Sequence, residues 1–351
     1  MNKRDTEHAM SVLREHLTDI STLLDNESIQ EIMINDPLNI FTESRGTISR
    51  LENVVLSDES LDASLNILAN MNEKDSTQIM DARLPGLRIA GARRPTAMHG
   101  NMMCIRRHSS HKLTLGQYVK NGNFDVLPRD PERDAFDRDV QRMLVELRNG
   151  GQVVADFLQW VQRSRKNVVL SGATSSGKTT LLNALLGEIP PDDRVITIED
   201  TGELQVGLPN FVSFEANPRI GVTVRDLVKH ALRCRPDRII VGEIRGAEAF
   251  DLMDALNTGH PGSAVSFHAD SSAGALPRLE SMLRMAPEAQ NWPLADLRRQ
   301  VAITFPFIVH AQRIGGQRGP QEIRQILGAE GGVYQTKLLY SKVHREESAY
   351  A

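Results

Sequence analysis

The apolar and polar positions divide the chain into two halves of different character. Leu13, Leu17, Ile20 and Leu24 recur at steps of 4, 3 and 4, which puts them on one side of a helix over residues 10–24. A core-facing stripe is the expectation. The opposite side carries Arg14, Glu15 and Asp19, not the strongly basic surface of a helix that lies on anionic lipid. From Ile29 the period shortens. IQEIMIN is apolar and stops at Asn35-Asp36-Pro37, and NIFTES and ISRLENV flank Arg45-Gly46 as in a hairpin. Leu61, Leu65 and Leu68 predict a second helix over 58–72. Short strands broken by Pro85-Gly86, Pro95 and Gly100 fill 84–107. Residues 1–107 therefore read as a small α+β domain.

Residues 108–135 are polar and turn-rich, with His108-Ser-Ser-His111, Asn121-Gly122-Asn123, Pro128 and Pro131. Such composition between two patterned regions marks a linker. Helical patterns over 133–148 and 152–163 then open a second domain, 136–351. In it VVLSG, VITIED, VSFEA, RIIVGE and AVSFHA alternate with helical stretches. That alternation predicts a mostly parallel sheet covered by helices.

Composition narrows the function. Charged residues are 25% and hydrophobic residues 40% of 351, as in a globular protein of two domains. The net charge of −4 argues against coating a phosphate backbone, which takes clustered Lys and Arg; no sequence-specific nucleic-acid binding is expected. Cys104 and Cys234 form neither a metal-ligand pair nor a disulfide framework by spacing, which fits a reducing cytoplasm. MNKRDTEHAM lacks the apolar centre of a signal peptide. No stretch approaches the ~20 apolar residues of a membrane span, so membrane association is expected only at the periphery, through partners.

Gly172-Ala173-Thr174-Ser175-Ser176-Gly177-Lys178-Thr179, with Thr180 behind it, matches the phosphate-loop pattern G-x-x-x-x-G-K-[ST]. A triphosphate needs several donors at close range. Gly172 and Gly177 let the backbone N–H groups turn inward, and the helix starting near Lys178 adds the positive end of its dipole. Lys178 is expected at the β- and γ-phosphates and Thr179 at Mg²⁺. An apolar strand before the loop and an apolar helix after it supply the required context. An ordinary glycine turn would not explain the Lys178-Thr179 pair.

Such a site needs a second strand that ends in an acid near the metal. Arg238-Ile-Ile-Val-Gly-Glu243 supplies it, with Glu where Asp is more usual. Ile196-Thr-Ile-Glu199-Asp200-Thr-Gly-Glu203 ends another strand in carboxylates, which can orient or deprotonate water; each alone could equally be a solvated turn. His260 and His268 flank a strand over 264–267 and are both expected at the edge where the γ-phosphate would sit. Metal ligation by the pair is not expected, for want of further ligands at suitable spacing.

Four blocks carry a resemblance: Gly172–Thr179, Ile198–Glu203, Leu232-Arg-Cys-Arg-Pro-Asp-Arg-Ile-Ile-Val-Gly-Glu-Ile-Arg245, and Asn257-Thr-Gly-His260 through His268. Together they resemble the type II/type IV secretion ATPases, or traffic ATPases, where they are the Walker A loop, aspartate box, Walker B signature and histidine box. The resemblance is close over about 150–310. It is looser over 28–107, where EIMINDP, DARLPG and CIRRH look like parts of the family's amino-terminal domain. Gly246 stands where many pilus and type II secretion members have Asp, and no tetracysteine zinc module is present. Both features look more like the type IV secretion and conjugative-transfer branch.

The resemblance implies an α/β chain with a C-terminal RecA-like P-loop NTPase domain preceded by a smaller α+β N-terminal domain, assembled as a homohexamer. It implies Mg²⁺-dependent ATP hydrolysis that powers a secretion or conjugation machine through inner-membrane components; a pilus assembly or retraction motor is the alternative, and a nucleic-acid motor a more distant one. By the same resemblance Glu203 would position the attacking water, with Glu199 in the same box. Glu243 would support Mg²⁺ through water, and His260 and His268 would sense the γ-phosphate. Arg106, with Arg94 or Arg107, would close over the nucleotide as the linker hinges.

Overall fold

The computed structural model describes residues 3–71, 78–108, 113–126 and 131–343. Its amino-terminal part comprises α1 (Lys3–His16), β1 (Ile29–Asp36), β2 (Asn39–Ser44), β3 (Thr47–Arg50), α2 (Asp58–Met71), β4 (Ile79–Leu84), β5 (Leu87–Ala92) and β6 (Met102–Arg107). The strands form an antiparallel sheet in the order β3-β2-β1-β6-β5-β4. The period of two along a strand sorts its side chains to two faces. Ile32, Ile34, Ile89 and Ile105 pack under Leu13, Leu17, Leu61 and Leu65 of the helical layer. Met33, Ala90, Ala92, Met102 and Cys104 face the other way, and they too are buried.

The helix expected over 10–24 is interrupted. α1 ends at His16, and Thr18–Leu24 winds as a 3₁₀ helix. Hydroxyls here compete for the main chain: Thr18 donates to the Glu15 carbonyl at 2.7 Å and Ser21 to the Thr18 carbonyl at 2.8 Å. The stripe survives the change of winding, since Leu13, Leu17, Ile20 and Leu24 are all buried.

Within the expected linker, Leu115–Lys120 forms a short helix, α3, closed by a capping box between Thr114 and Gln117. The linker residues 109–112 and 127–130, with His111 and Pro128, lie outside the described residues. α4 (Pro131–Glu146) and α5 (Gln152–Arg163) lead into β7 (Val168–Ser171), α6 (Lys178–Leu186), β8 (Val195–Glu199), β9 (Phe211–Glu215), α7 (Val224–Ala231), β10 (Arg238–Val241), α8 (Glu248–Asn257), β11 (Ala264–Phe267), α9 (Ala275–Leu283), α10 (Leu294–Thr304), β12 (Phe307–Ile314), β13 (Gln317–Glu330) and β14 (Val333–Ser341). The second sheet runs β14-β13-β12-β7-β11-β10-β8-β9. From β12 to β9 every pairing is parallel. The four- and five-residue strands β7, β8, β10 and β11 are buried along their whole length, as a sheet covered on both faces requires. The antiparallel extension β12-β13-β14 has no counterpart in the apolar pattern.

The two sheets meet in one core. Met33, Phe41, Ala92 and Met102 of the first share it with Ile196, Val212, Phe214 and Val241 of the second. The main chain at 96–98 pairs antiparallel with β9: Ala97 lies opposite Phe214, Met98 N–H donates to the Ser213 carbonyl and Glu215 N–H to the Thr96 carbonyl, both at 2.9 Å. At the same joint Arg194 is fully buried. Its guanidinium reaches Asn35 Oδ1 at 2.6 Å and the Cys234 carbonyl at 2.9 Å. Arg235 clasps Glu43 at 2.7 Å and Arg233 clasps Asp81. The polar linker over 108–135 is expected to act as a hinge for domain closure. The joint opposes that motion, because opening it would expose a continuous apolar surface and a buried guanidinium.

Candidate active site

The glycine-rich loop lies between a strand and a helix. β7 delivers the chain to Gly172, whose φ is +153°; a Cβ there would lie 2.2 Å from the Ala311 carbonyl oxygen of β12. Only glycine fits so tight a seat. Gly177, at φ +97°, starts α6. Thr174, Ser175, Lys178 and Thr179 line a cavity of about 390 Å³. Ala173 and Thr174 also border a second cleft, with His268, Asp270 and Arg278. Ser176 is buried against Gly172, and Thr180 points outward. Lys178 Nζ donates to the carbonyls of Gly172 at 2.9 Å and Ala173 at 3.0 Å. Burial lowers its pKa, against the opposing pull of Glu243.

The acids arrive from two neighbouring strands. β8 carries Glu199 to the cavity and β10 carries Glu243, with Asp200, Thr201, Glu203, Gly242, Arg245, Ser266 and His268 completing the wall. A Cβ at Gly242 would lie 3.0 Å from Glu199 Cγ, so the small residue lets the two acidic strand ends sit side by side. Burial pushes the Glu243 carboxyl up. Arg245, donating at 2.8 Å, together with His268 and Lys178 outweighs that and holds it below the ordinary carboxylate range. His268 Nε2 stands 3.2 Å from the same oxygen of Glu243.

The aspartate box divides its labour. Glu199 is buried, and its Oε2 accepts the N–H groups of Glu203 at 2.8 Å and Leu204 at 3.0 Å. Burial raises its pKa, partly offset by those two donors. These bonds tie the carboxyl to the main chain of the acidic loop. Glu203, further along that loop, is exposed and faces the cavity. Asp200 is exposed at the same cavity, within 3.3 Å of Arg245.

Two expectations change. His260 and His268 occupy opposite ends of β11, which is four residues long; at about 3.3 Å per residue both cannot stand at one edge. His268 is at the end that borders the cavity, 3.4 Å from Lys178 Nζ. His260 is at the other, its Nδ1 3.0 Å from the Pro236 carbonyl and its pKa lowered by burial. The amino-terminal arginines also stay away from the cavity. Arg106 is two-thirds exposed and 3.9 Å from Glu31, Arg107 donates to the Leu24 carbonyl, and the Arg94 main chain binds Asn101. The guanidinium that lines the cavity is Arg245, which also reaches Asp200 at 3.3 Å. Its place two residues beyond Glu243 was the available signal. Ser266, donating to the Gly242 carbonyl at 2.5 Å, carried none.

The sequence profile of a family described as type II/IV secretion system protein matches residues 14–315. The chain is 30% identical over 339 residues to the type IV secretion system protein VirB11 of Bartonella henselae, covering 91% of this chain and 94% of that one. It is 31% identical over 333 residues to the conjugal transfer protein TrbB of Rhizobium radiobacter, covering 93% and 92%. Among solved structures, the VirB11 ATPase from the Brucella suis type IV secretion system, in complex with sulphate, matches with a TM-score of 0.77 at 30% identity over 91% of this chain and 95% of that one.

Proposed function

The chain belongs to the type II/IV secretion system protein family, and from that premise we propose that it is the ATPase motor of a bacterial type IV secretion or conjugal-transfer machine. The observation that carries this reading is the convergence of Lys178, Thr179, Glu203, Glu243 and His268 on one cavity. Relatives described as type IV secretion and conjugal transfer proteins along nearly the whole chain support the choice of machine. The parallel sheet with its phosphate loop is taken as a RecA-like P-loop domain over 136–351, and residues 1–107 as the smaller α+β domain joined to it through 108–135.

The donors suit Mg²⁺. Thr179 and Glu243 offer hard oxygens, the latter through water, and among the described residues no cluster of three or more His, Cys, Asp or Glu forms an all-protein metal cage. Mg²⁺ ordinarily shares its shell with phosphates and waters. Bound there, it would neutralise charge across the β- and γ-phosphate oxygens. The chain does the rest. Lys178 leaves the loop carbonyls for the phosphates. Glu203 orients the attacking water. His268 and Arg245, both held by Glu243, turn towards the γ-phosphate when its charge arrives. Arg106, remote from its own chain's cavity, serves a neighbouring copy in a homohexamer. The ring works at the cytoplasmic face of the inner membrane through partner proteins; no helix among the described residues is long and apolar enough to cross a membrane.

A pilus motor of the same family is the second reading. Gly246, where many pilus members have Asp, favours the first. A nucleic-acid motor has no comparable support, and DNA-stimulated hydrolysis by the pure protein would revive it. Phosphate release by the purified chain tests the site. Turnover should require Mg²⁺, and Lys178→Ala should lower it by about a hundredfold or more. A folded Lys178→Ala protein that hydrolyses ATP at the parent rate would sink the assignment.

A further inference from the structure

The two cysteines of this chain have no part in the nucleotide site. They lie 130 residues apart in sequence, yet Cys104 Sγ is 3.5 Å from the Cys234 carbonyl. Cys104 stands on β6 of the first sheet, and Cys234 in the turn between α7 and β10 of the second. Both are buried in the joint. A guanidinium stands over them: Arg194 donates to Cys104 Sγ at 3.3 Å and to the Cys234 carbonyl at 2.9 Å. The other side-chain contacts of Arg194 are the neutral amides of Asn35 and Asn210. It forms no ion pair with a carboxylate among the described residues; its charge acts on both Cys104 and the buried Glu31, and either can supply a countercharge. A buried guanidinium without a carboxylate is costly unless something near it ionises.

We propose that Cys104 and Cys234 are an oxidation site, at which a peroxide joins them in a disulfide that fastens the two sheets together. The Cys104 thiolate attacks one peroxide oxygen. The O–O bond breaks, leaving a sulfenic acid on Cys104 and hydroxide. The Cys234 sulfur then attacks the Cys104 sulfur and displaces hydroxide, and the thiol protons leave in water. Two thiols and one peroxide give one disulfide and two waters. The environment separates the roles. Arg194 donates to Cys104 Sγ, whereas Cys234 Sγ donates to the His230 carbonyl at 3.4 Å, so the neighbouring thiol and the guanidinium draw the Cys104 thiol down while burial pushes the Cys234 thiol up. A thiol held by a cation beside a resolving one is the arrangement this chemistry needs, and peroxide reaches the buried pair through local opening of the joint. Glu31 lies close by, and its negative charge, when present, opposes thiolate formation.

The test is mass and thermal melting of the reduced full-length protein titrated with hydrogen peroxide, independent of its ATPase activity. The expected product has lost two hydrogens and yields one cross-linked peptide pair containing Cys104 and Cys234. Its Tm should rise by roughly 5 °C, reversed by dithiothreitol. Cys234→Ser should instead accumulate sulfenic acid on Cys104, and Cys104→Ser should leave Cys234 reduced over the same titration. Separate oxygen addition on the two cysteines of the parent, or both thiols intact while methionines oxidise, overturns the proposal. So does a Cys104→Ser protein whose Cys234 oxidises as fast as Cys104 does in the parent.

Discussion

At the scale of single residues, the cavity separates side chains that face it from side chains tied to the main chain. Glu203 and Glu199 are four positions apart and chemically identical, but one is exposed to the cavity and the other spends Oε2 on two main-chain donors. Glu203→Gln should therefore lower kcat about a hundredfold, with KM for ATP and Tm little changed. Steady-state kinetics and a melting curve check this; a drop in Tm of the same protein would reassign Glu203 to structure. The histidines give a second contrast. His268→Ala should cost about tenfold or more in kcat, while His260→Ala, at the far end of β11, should stay within about twofold. Equal losses in both variants would show that His260 reaches a phosphate.

At the scale of elements, β10 is pinned from its first residue. Arg238 is fully buried and donates to Asp193 at 2.6 Å and to the Gln162 carbonyl at 2.8 Å. Removing the carboxylate leaves a buried cation without its counterion, so Asp193→Ala should cost about 3 kcal/mol in denaturant unfolding. A loss below about 1 kcal/mol would mean that the carbonyls suffice. The strand-loop-helix around Gly172–Thr179 was legible because local pattern and function coincide there. The same holds for the β1–β2–β3 hairpins around their turn residues. The β13–β14 pair was not legible. Irregularities at Ile323/Arg324 and Ile326/Gly328 slip its register and erase the alternation that marks a strand. The block from Leu232 to Arg245 was visible as a motif but not as two devices. Its second half ends at the cavity beside Lys178, while Arg233, Cys234 and Arg235 grip the first sheet. Nothing in linear spacing announces a partner 130 to 192 residues away.

At the scale of the molecule, the joint between the sheets should make stability depend on pH. Glu31 is buried there, and desolvation pushes its pKa from 4.5 to about 8. The folded state holds this proton more tightly than the unfolded state does. The stability it contributes is full below about pH 4.5 and is lost as pH rises towards 8, by roughly 3–5 kcal/mol in all. Melting curves between pH 5 and 8.5 should fall with pH, and Glu31→Gln should flatten them. Parallel slopes in the two proteins would remove Glu31 as the cause. The pairing of residues 96–98 with β9 bears on how the protein can be taken apart. A shortened gene beginning at the linker would remove the covering from Val212 and Phe214 and leave β9 with unpaired main-chain groups along its outer side, an invitation to fibre-like stacking. Dissection into separately expressed halves should therefore yield precipitate from the carboxy-terminal piece, and mixing in the amino-terminal piece during expression should recover it.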